Sequence, residues 1–117
     1  MITKIYSAIP HGYGGKIIEV ETSINRGLPA FNIVGMGDKT IYESKDRVRN
    51  AIQNSDLSFP IHKTTVNLAP ANLIKTGSAL DLPITISILV ASKQLTPLDV
   101  RQKAFVGELS LSGELRP

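Results

Sequence analysis

The chain has 117 residues, 42% of them apolar and 20% charged, with a formal net charge of +3. That length suits one domain with a real core, and the composition is that of a folded globular protein rather than a disordered one. Cysteine is absent, which excludes disulfides and thiolate metal sites and fits a cytoplasmic protein. Tryptophan is absent too, and three Tyr with three Phe supply little for a base-stacking surface.

Residues 2–9, ITKIYSAI, read as a strand from their β-branched and aromatic content. The segment has no apolar run of the kind a secretory signal needs. PHGYGG then supplies Pro10 and three glycines, a loop or hairpin connection. Residues 16–25, KIIEVETSIN, put Ile18, Val20, Thr22 and Ile24 on one face and Glu19, Glu21 and Ser23 on the other, which predicts a half-buried strand. RGLP breaks it, and FNIVGM at 31–36 is the next short strand. The three strands are expected to form an antiparallel meander.

Gly37-Asp38 opens a helix with Asp38 as N-cap. Ile41, Val48, Ala51 and Ile52 make its buried stripe, and it should end near 54–56. Glu43 and Arg47 form an i,i+4 pair of opposite charge. Phe59-Pro60 marks a loop, and KTTVNLAP at 63–70 reads as a strand. Residues 78–94 are ambiguous. The alternation over 84–88 argues for a strand, whereas length and Pro83 in a first turn argue for a helix. The 80–91 stretch, interrupted by Asp81, Pro83, Thr85 and Ser87, is too short and too polar to span a bilayer, so no membrane role is expected. After Thr96-Pro97, residues 98–102 suggest a helical turn, and KAFVGELSLSGELRP suggests two short strands around Gly113. The strand-like pattern stops abruptly, as if the chain were cut from something longer. The expected fold class is α/β (α+β), one mixed-sheet domain over residues 1–117 with helices packed on the sheet.

Chemistry is sparse. HGYGGK at 11–16 lacks the GxxxxGK(S/T) order that cradles phosphates, so it reads as a turn, and this chain alone is not expected to hydrolyse ATP. His11 and His62 have no partner at metal spacing, so no metal site is expected. Asp81 sits where a helix begins, so its carboxylate can accept backbone N–H bonds and meet the positive end of the dipole; a catalytic acid is the alternative. Ser78 is the one nucleophile candidate, with Lys75 three residues before it, against a turn or helix-start role. Lys45, Arg47 and Arg49 on the first helix, with Lys63 and Lys75 bordering the next strand, are the candidate phosphate contacts against a plain solvated face. Arg47 and Arg49 lie about 200° apart on a helical wheel, so they do not share a narrow stripe.

Three long stretches, GLPAFNIVGMGDKTIYESKDRVRNAIQNS, VNLAPANLIKTGSALDLPITISILVAS and FVGELSLSGELRP, resemble the N-terminal domain of the YifB/ComM family of Mg-chelatase-like AAA+ ATPases. The resemblance implies the Lon-protease-like fold shared with a ribosomal-protein superfamily, and by analogy a helix over 78–94. It implies a longer parent whose ATPase module, beyond residue 117, binds ATP and Mg, with no cofactor in this chain. Members of the ComM branch are associated with natural transformation and act as hexameric branch-migration helicases, so a homo-oligomer and DNA are the implied partners. Lon-type proteases use a Ser-Lys dyad whose serine lies near 77–81 here and whose lysine follows a strand pair similar to 107–114. Two departures matter. With Asp81-Leu82 aligned on the Lon-like domain of RadA, the protease serine falls at Ala79, and the lysine position lies beyond Pro117. Three readings follow. They are a non-catalytic accessory domain that organises a ring, contacts DNA, or both, a Lon-type peptidase, and a pure oligomerisation module.

Overall fold

The computed structural model describes residues 2–70, 75, 78–97 and 103–116, the side chain of Asp38 excepted. Its elements in chain order are β1 (Ile2–His11), β2 (Gly14–Asn25), β3 (Ala30–Val34), α1 (Asp38–Asn54), β4 (Lys63–Ala69), α2 (Asp81–Ala91), β5 (Glu108–Leu109) and β6 (Leu115–Arg116).

β1 and β2 form a hairpin in which His11 faces Gly14, so the glycine-rich stretch contracts to a two-residue turn at Gly12-Tyr13. Gly12 has φ +61°, as a hairpin turn with glycine at its first central position requires. Both strands therefore reach further toward the turn than the sequence predicts.

The expected meander is not what forms. The sheet order is β1-β2-β4-β3: β4 inserts between β2 and β3, antiparallel to the first and parallel to the second. α1 is the reason. It connects β3 to β4, and a helical crossover returns the chain parallel to the strand it left. β4 suits the interior position because Thr64, Val66 and Leu68 are all buried on its helix-side face. Gly35, at the exit of β3, has φ +103° and passes so close to β4 that a Cβ would sit 2.4 Å from the Leu68 carbonyl oxygen.

One face of the sheet carries Ile5, Ile18, Val20, Phe31, Ile33, Val66 and Leu68, and with Val48, Ile52, Leu80, Ile84 and Ile88 these make the core. α2 packs across β1 and β2 and against α1. Nine of the eleven residues of α2 are buried, so it is covered on nearly all sides. That explains why residues 78–94 show no clean helical stripe: a helix buried all round needs none. Pro83 occupies its third position, within the first turn. α1 begins at Asp38, so Gly37 holds the N-cap position in place of the expected Asp38, with no side-chain capping bond.

β5 and β6 pair antiparallel around Gly113 and are shorter than predicted. The segment leading to them is clipped to α2 by Leu82 N–H donating to the Gly107 carbonyl at 3.0 Å and Gly107 N–H donating to that of Ala79 at 2.8 Å. The helical turn expected at 98–102 lies outside the described residues. Among these residues no helix is long and apolar enough to cross a membrane.

Candidate functional site

α2 starts with Asp81, and the first turn of that helix is pressed against α1, so a carboxylate there must find protein donors. It finds four. Ser44 Oγ donates to Oδ1 at 2.8 Å, Arg47 Nε to Oδ2 at 2.5 Å, Arg47 Nη2 to Oδ1 at 3.2 Å, and the Leu109 backbone N–H to Oδ2 at 3.3 Å. Ser44 and Arg47 lie three residues apart on the same face of α1, which is why both reach one partner. Asp81 is fully buried, while the Arg47 side chain keeps 19% of its surface in solvent. The pKa of Arg47 is raised, first by its hydrogen bond to Asp81, against an opposing effect of burial. The charges of Asp81, Glu108 and Glu43 add to the rise. The guanidinium thus pairs with Asp81 and not with Glu43, the partner suggested by helix spacing, which acts only through space. With four donors on it, the carboxylate is a joint between α1, α2 and β5.

Ser78 stands in the turn before α2. Its carbonyl accepts the Asp81 N–H at 3.1 Å. Leu80 fills the N-cap position of α2, with no side-chain capping bond, so the Ser78 hydroxyl does not cap the helix. Gly77, the other half of that predicted turn, lies outside the described residues.

The five candidate phosphate-binding cations separate in space. Arg47 turns inward to Asp81. Lys75 is buried, its ammonium donating to the Pro70 carbonyl, and burial lowers its pKa from the ordinary 10.5. Neither is presented as a surface cation: Arg47 meets a carboxylate 34 residues away, and Lys75 a carbonyl only five residues away. Lys45, Arg49 and Lys63 remain at the surface on the β3 side. Lys63 begins β4 opposite Ala30, and both helix cations lie over aromatic rings. Lys45 Nζ is 5.8 Å from the Phe31 centroid, and the Arg49 guanidinium is 5.7 Å from Phe31 and 5.2 Å from Phe59. The two rings pack at 4.9 Å with a 52° tilt. Such stacking holds the cations in place at about 0.5–1 kcal/mol each without neutralising them. Sequence reasoning missed both Ser44 and this aromatic seat. Ser44 carried one signal, a small polar residue inside the apolar stripe of α1.

The other sheet face is mixed in charge. Lys4 and Glu19 pair there at 3.7 Å, and Asn67 donates to Glu21 at 3.3 Å. Acidic residues at its centre make it a poor surface for a polyanion. His11 ends β1 and His62 precedes β4, both exposed. A cavity of 690 Å³ opens between the loop before β4 and the end of α2, beside Phe59, His62 and Lys93. Gln94 props that loop through bonds to the Ser58 N–H and carbonyl at 2.9 and 2.7 Å.

A family model described as subunit ChlI of Mg-chelatase matches residues 20–117. The competence protein ComM of Haemophilus influenzae is 44% identical over 112 residues, which is 96% of this chain and 22% of that protein. YifB of Escherichia coli, an uncharacterised protein, is 48% identical over 105 residues, 90% of this chain and 21% of its own length. An uncharacterised protein of Mycobacterium tuberculosis is 37% identical over 114 residues, 97% of this chain and 23% of its own. The chain thus spans about a fifth of the length of these relatives. With a family match over most of its residues and near-complete coverage by ComM and YifB, the chain belongs to the family of the Mg-chelatase subunit ChlI, among its YifB/ComM proteins.

Proposed function

We propose that this chain is a non-catalytic accessory domain of a ComM-type AAA+ ATPase that remodels DNA in natural transformation. Its role is to organise the ring, a hexamer in that reading. The observation that carries it is the state of Asp81 and Ser78: the carboxylate is saturated by four donors, and Ser78 serves its turn through its carbonyl. ATP and Mg belong to the parent's ATPase module. The glycine-rich stretch at 11–16 is not built as a phosphate cradle, since Gly12-Tyr13 is a hairpin turn between strands and no helix follows it. A parent carrying Ser78→Ala should keep its ATPase activity and cleave unfolded casein no differently from wild type. Casein cleavage that disappears in Ser78→Ala would establish the peptidase reading instead.

A DNA contact is the second reading, supported by Lys45, Arg49 and Lys63 standing at the surface on one side of the domain. Fluorescence anisotropy with labelled single-stranded and forked DNA tests it. Phosphate contacts should weaken steeply with salt, and the double variant Lys45→Glu/Arg49→Glu should weaken them regardless of base sequence. Absence of binding at low salt would discard the surface. Arg47 and Lys75 are left out of that test, since their loss would disturb the fold first.

A further inference from the structure

We propose that the groove between β3 and α1 receives an extended acidic peptide segment, added to the sheet as a fifth strand along β3. The proposal goes beyond the accessory role and stands whether or not the domain touches DNA.

β3 is the terminal strand of the sheet, and among the described residues it pairs only with β4. Its alternate N–H and C=O groups therefore face away from the sheet, in the pattern another peptide backbone can match. Edges are usually blunted by proline, charge or a covering segment. The other edge shows such protection: β1 contains Lys4 and Pro10, and Phe105 N–H donates to the Tyr6 carbonyl at 2.9 Å. β3, with sequence AFNIV, contains neither proline nor charge.

The groove beside this edge has two hollows. One, of 290 Å³, lies among Ala30, Arg49 and Phe59; the other, of 240 Å³, lies among Asn32, Tyr42 and Lys45. Ala30 borders the first and Asn32 the second; these two residues are two apart on β3, about 6.6 Å along the strand, the spacing of side chains on one face of an added strand. Each hollow is bordered by one helix cation, Arg49 or Lys45, and among the described residues no carboxylate lines either. Exposed Val34 (52%) and Tyr42 (71%) add apolar surface at one end. A free backbone edge and two hollows, each beside a seated cation, together select an extended chain with an acidic residue at every second position toward the hollows and aliphatic residues between them on the opposite face. A nucleic acid would use the cations, but its phosphates only accept hydrogen bonds and leave the carbonyls of β3 unmatched.

The probe is a fluorescein-labelled octapeptide of alternating valine and glutamate, titrated by anisotropy against the 117-residue chain. Saturable binding is expected. Lysine in place of glutamate should weaken it at least tenfold. N-methylation of one alternate set of amides should weaken it at least tenfold while the other set leaves it within threefold. Lys45→Glu/Arg49→Glu, checked for folding by circular dichroism, should also weaken it at least tenfold. Failure of the valine–glutamate peptide to bind, equal binding of its lysine counterpart, or equal effects of the two methylation sets would each overturn the proposal. So would binding of a single-stranded oligonucleotide where the peptide does not bind, which would make the groove a nucleic-acid surface. The methylation arm needs no protein variant, so misfolding of the double variant cannot hide the answer.

Discussion

Replacing Arg47 with methionine should destabilise the domain by about 3 kcal/mol, and adding Asp81→Asn should restore part of that loss. Methionine keeps the aliphatic packing of Arg47 and removes two of the four donors to a carboxylate that has no exposed surface. Removing one partner of a buried pair costs about 3–5 kcal/mol, and the lower end applies because the Arg47 side chain is itself 19% exposed, so water reaches one side of the pair. Asparagine then removes the stranded charge while its amide oxygen still accepts from Ser44 or the Leu109 N–H, so the double variant should exceed Arg47→Met in stability by about 1–2 kcal/mol. At this chain length a loss of 3 kcal/mol corresponds to a fall in Tm of roughly 12–15 °C. Urea denaturation followed by far-ultraviolet circular dichroism suits a chain without tryptophan. The midpoint should fall by about 2 M. A cost below about 1 kcal/mol for Arg47→Met, the range of exposed ion pairs, would refute the role given to this joint. A double variant at the plain sum of the two single losses would refute it equally.

Gly35→Ala should cost more than about 2 kcal/mol in the same assay, since alanine would have to adopt φ +103° with its Cβ 2.4 Å from the Leu68 carbonyl oxygen. Lys75 should make stability rise with pH. Its folded pKa lies below 10.5, so between the two values the unfolded chain binds more protons. The cost of burying its charge is present in full below the folded pKa and disappears as pH climbs toward 10.5. Lys75→Met should flatten that rise between neutral pH and just below 10.5, and an unchanged slope would remove Lys75 as its source. Ser78→Ala should stay within about 0.5 kcal/mol of wild type, because the bond from Asp81 N–H goes to the backbone of Ser78. A larger loss would mean that the hydroxyl supports the turn.

Much of the fold was legible where local pattern reports burial directly. The alternation of Ile18, Val20 and Thr22 marked the inner face of β2, and Val48, Ala51 and Ile52 marked that of α1; all six are buried. α2 was not legible from its own periodicity, and the helix was reached through the family resemblance. The candidate site was legible in part. Asp81 was found at a helix start, where it stands, but its partners were not found. Arg47 lies 34 residues away and the Leu109 N–H 28 residues away, and no local rule links them.

The sequence by itself determined which residues face inward on β2 and on α1, that the glycines at 12–15 make a turn and not a phosphate loop, and the family. Side-chain period and turn chemistry are properties of neighbouring residues, so they can be read along the chain. Tertiary structure decided the rest. It placed β4 between β2 and β3, buried Lys75, and turned Arg47 inward to Asp81 while Arg49, two residues on, stayed outside on its aromatic seat. The physical reason is common to all of these. Strand neighbours and ion-pair partners depend on which surfaces meet after the chain closes on itself, and a pattern that marks a face as buried carries no record of what buries it.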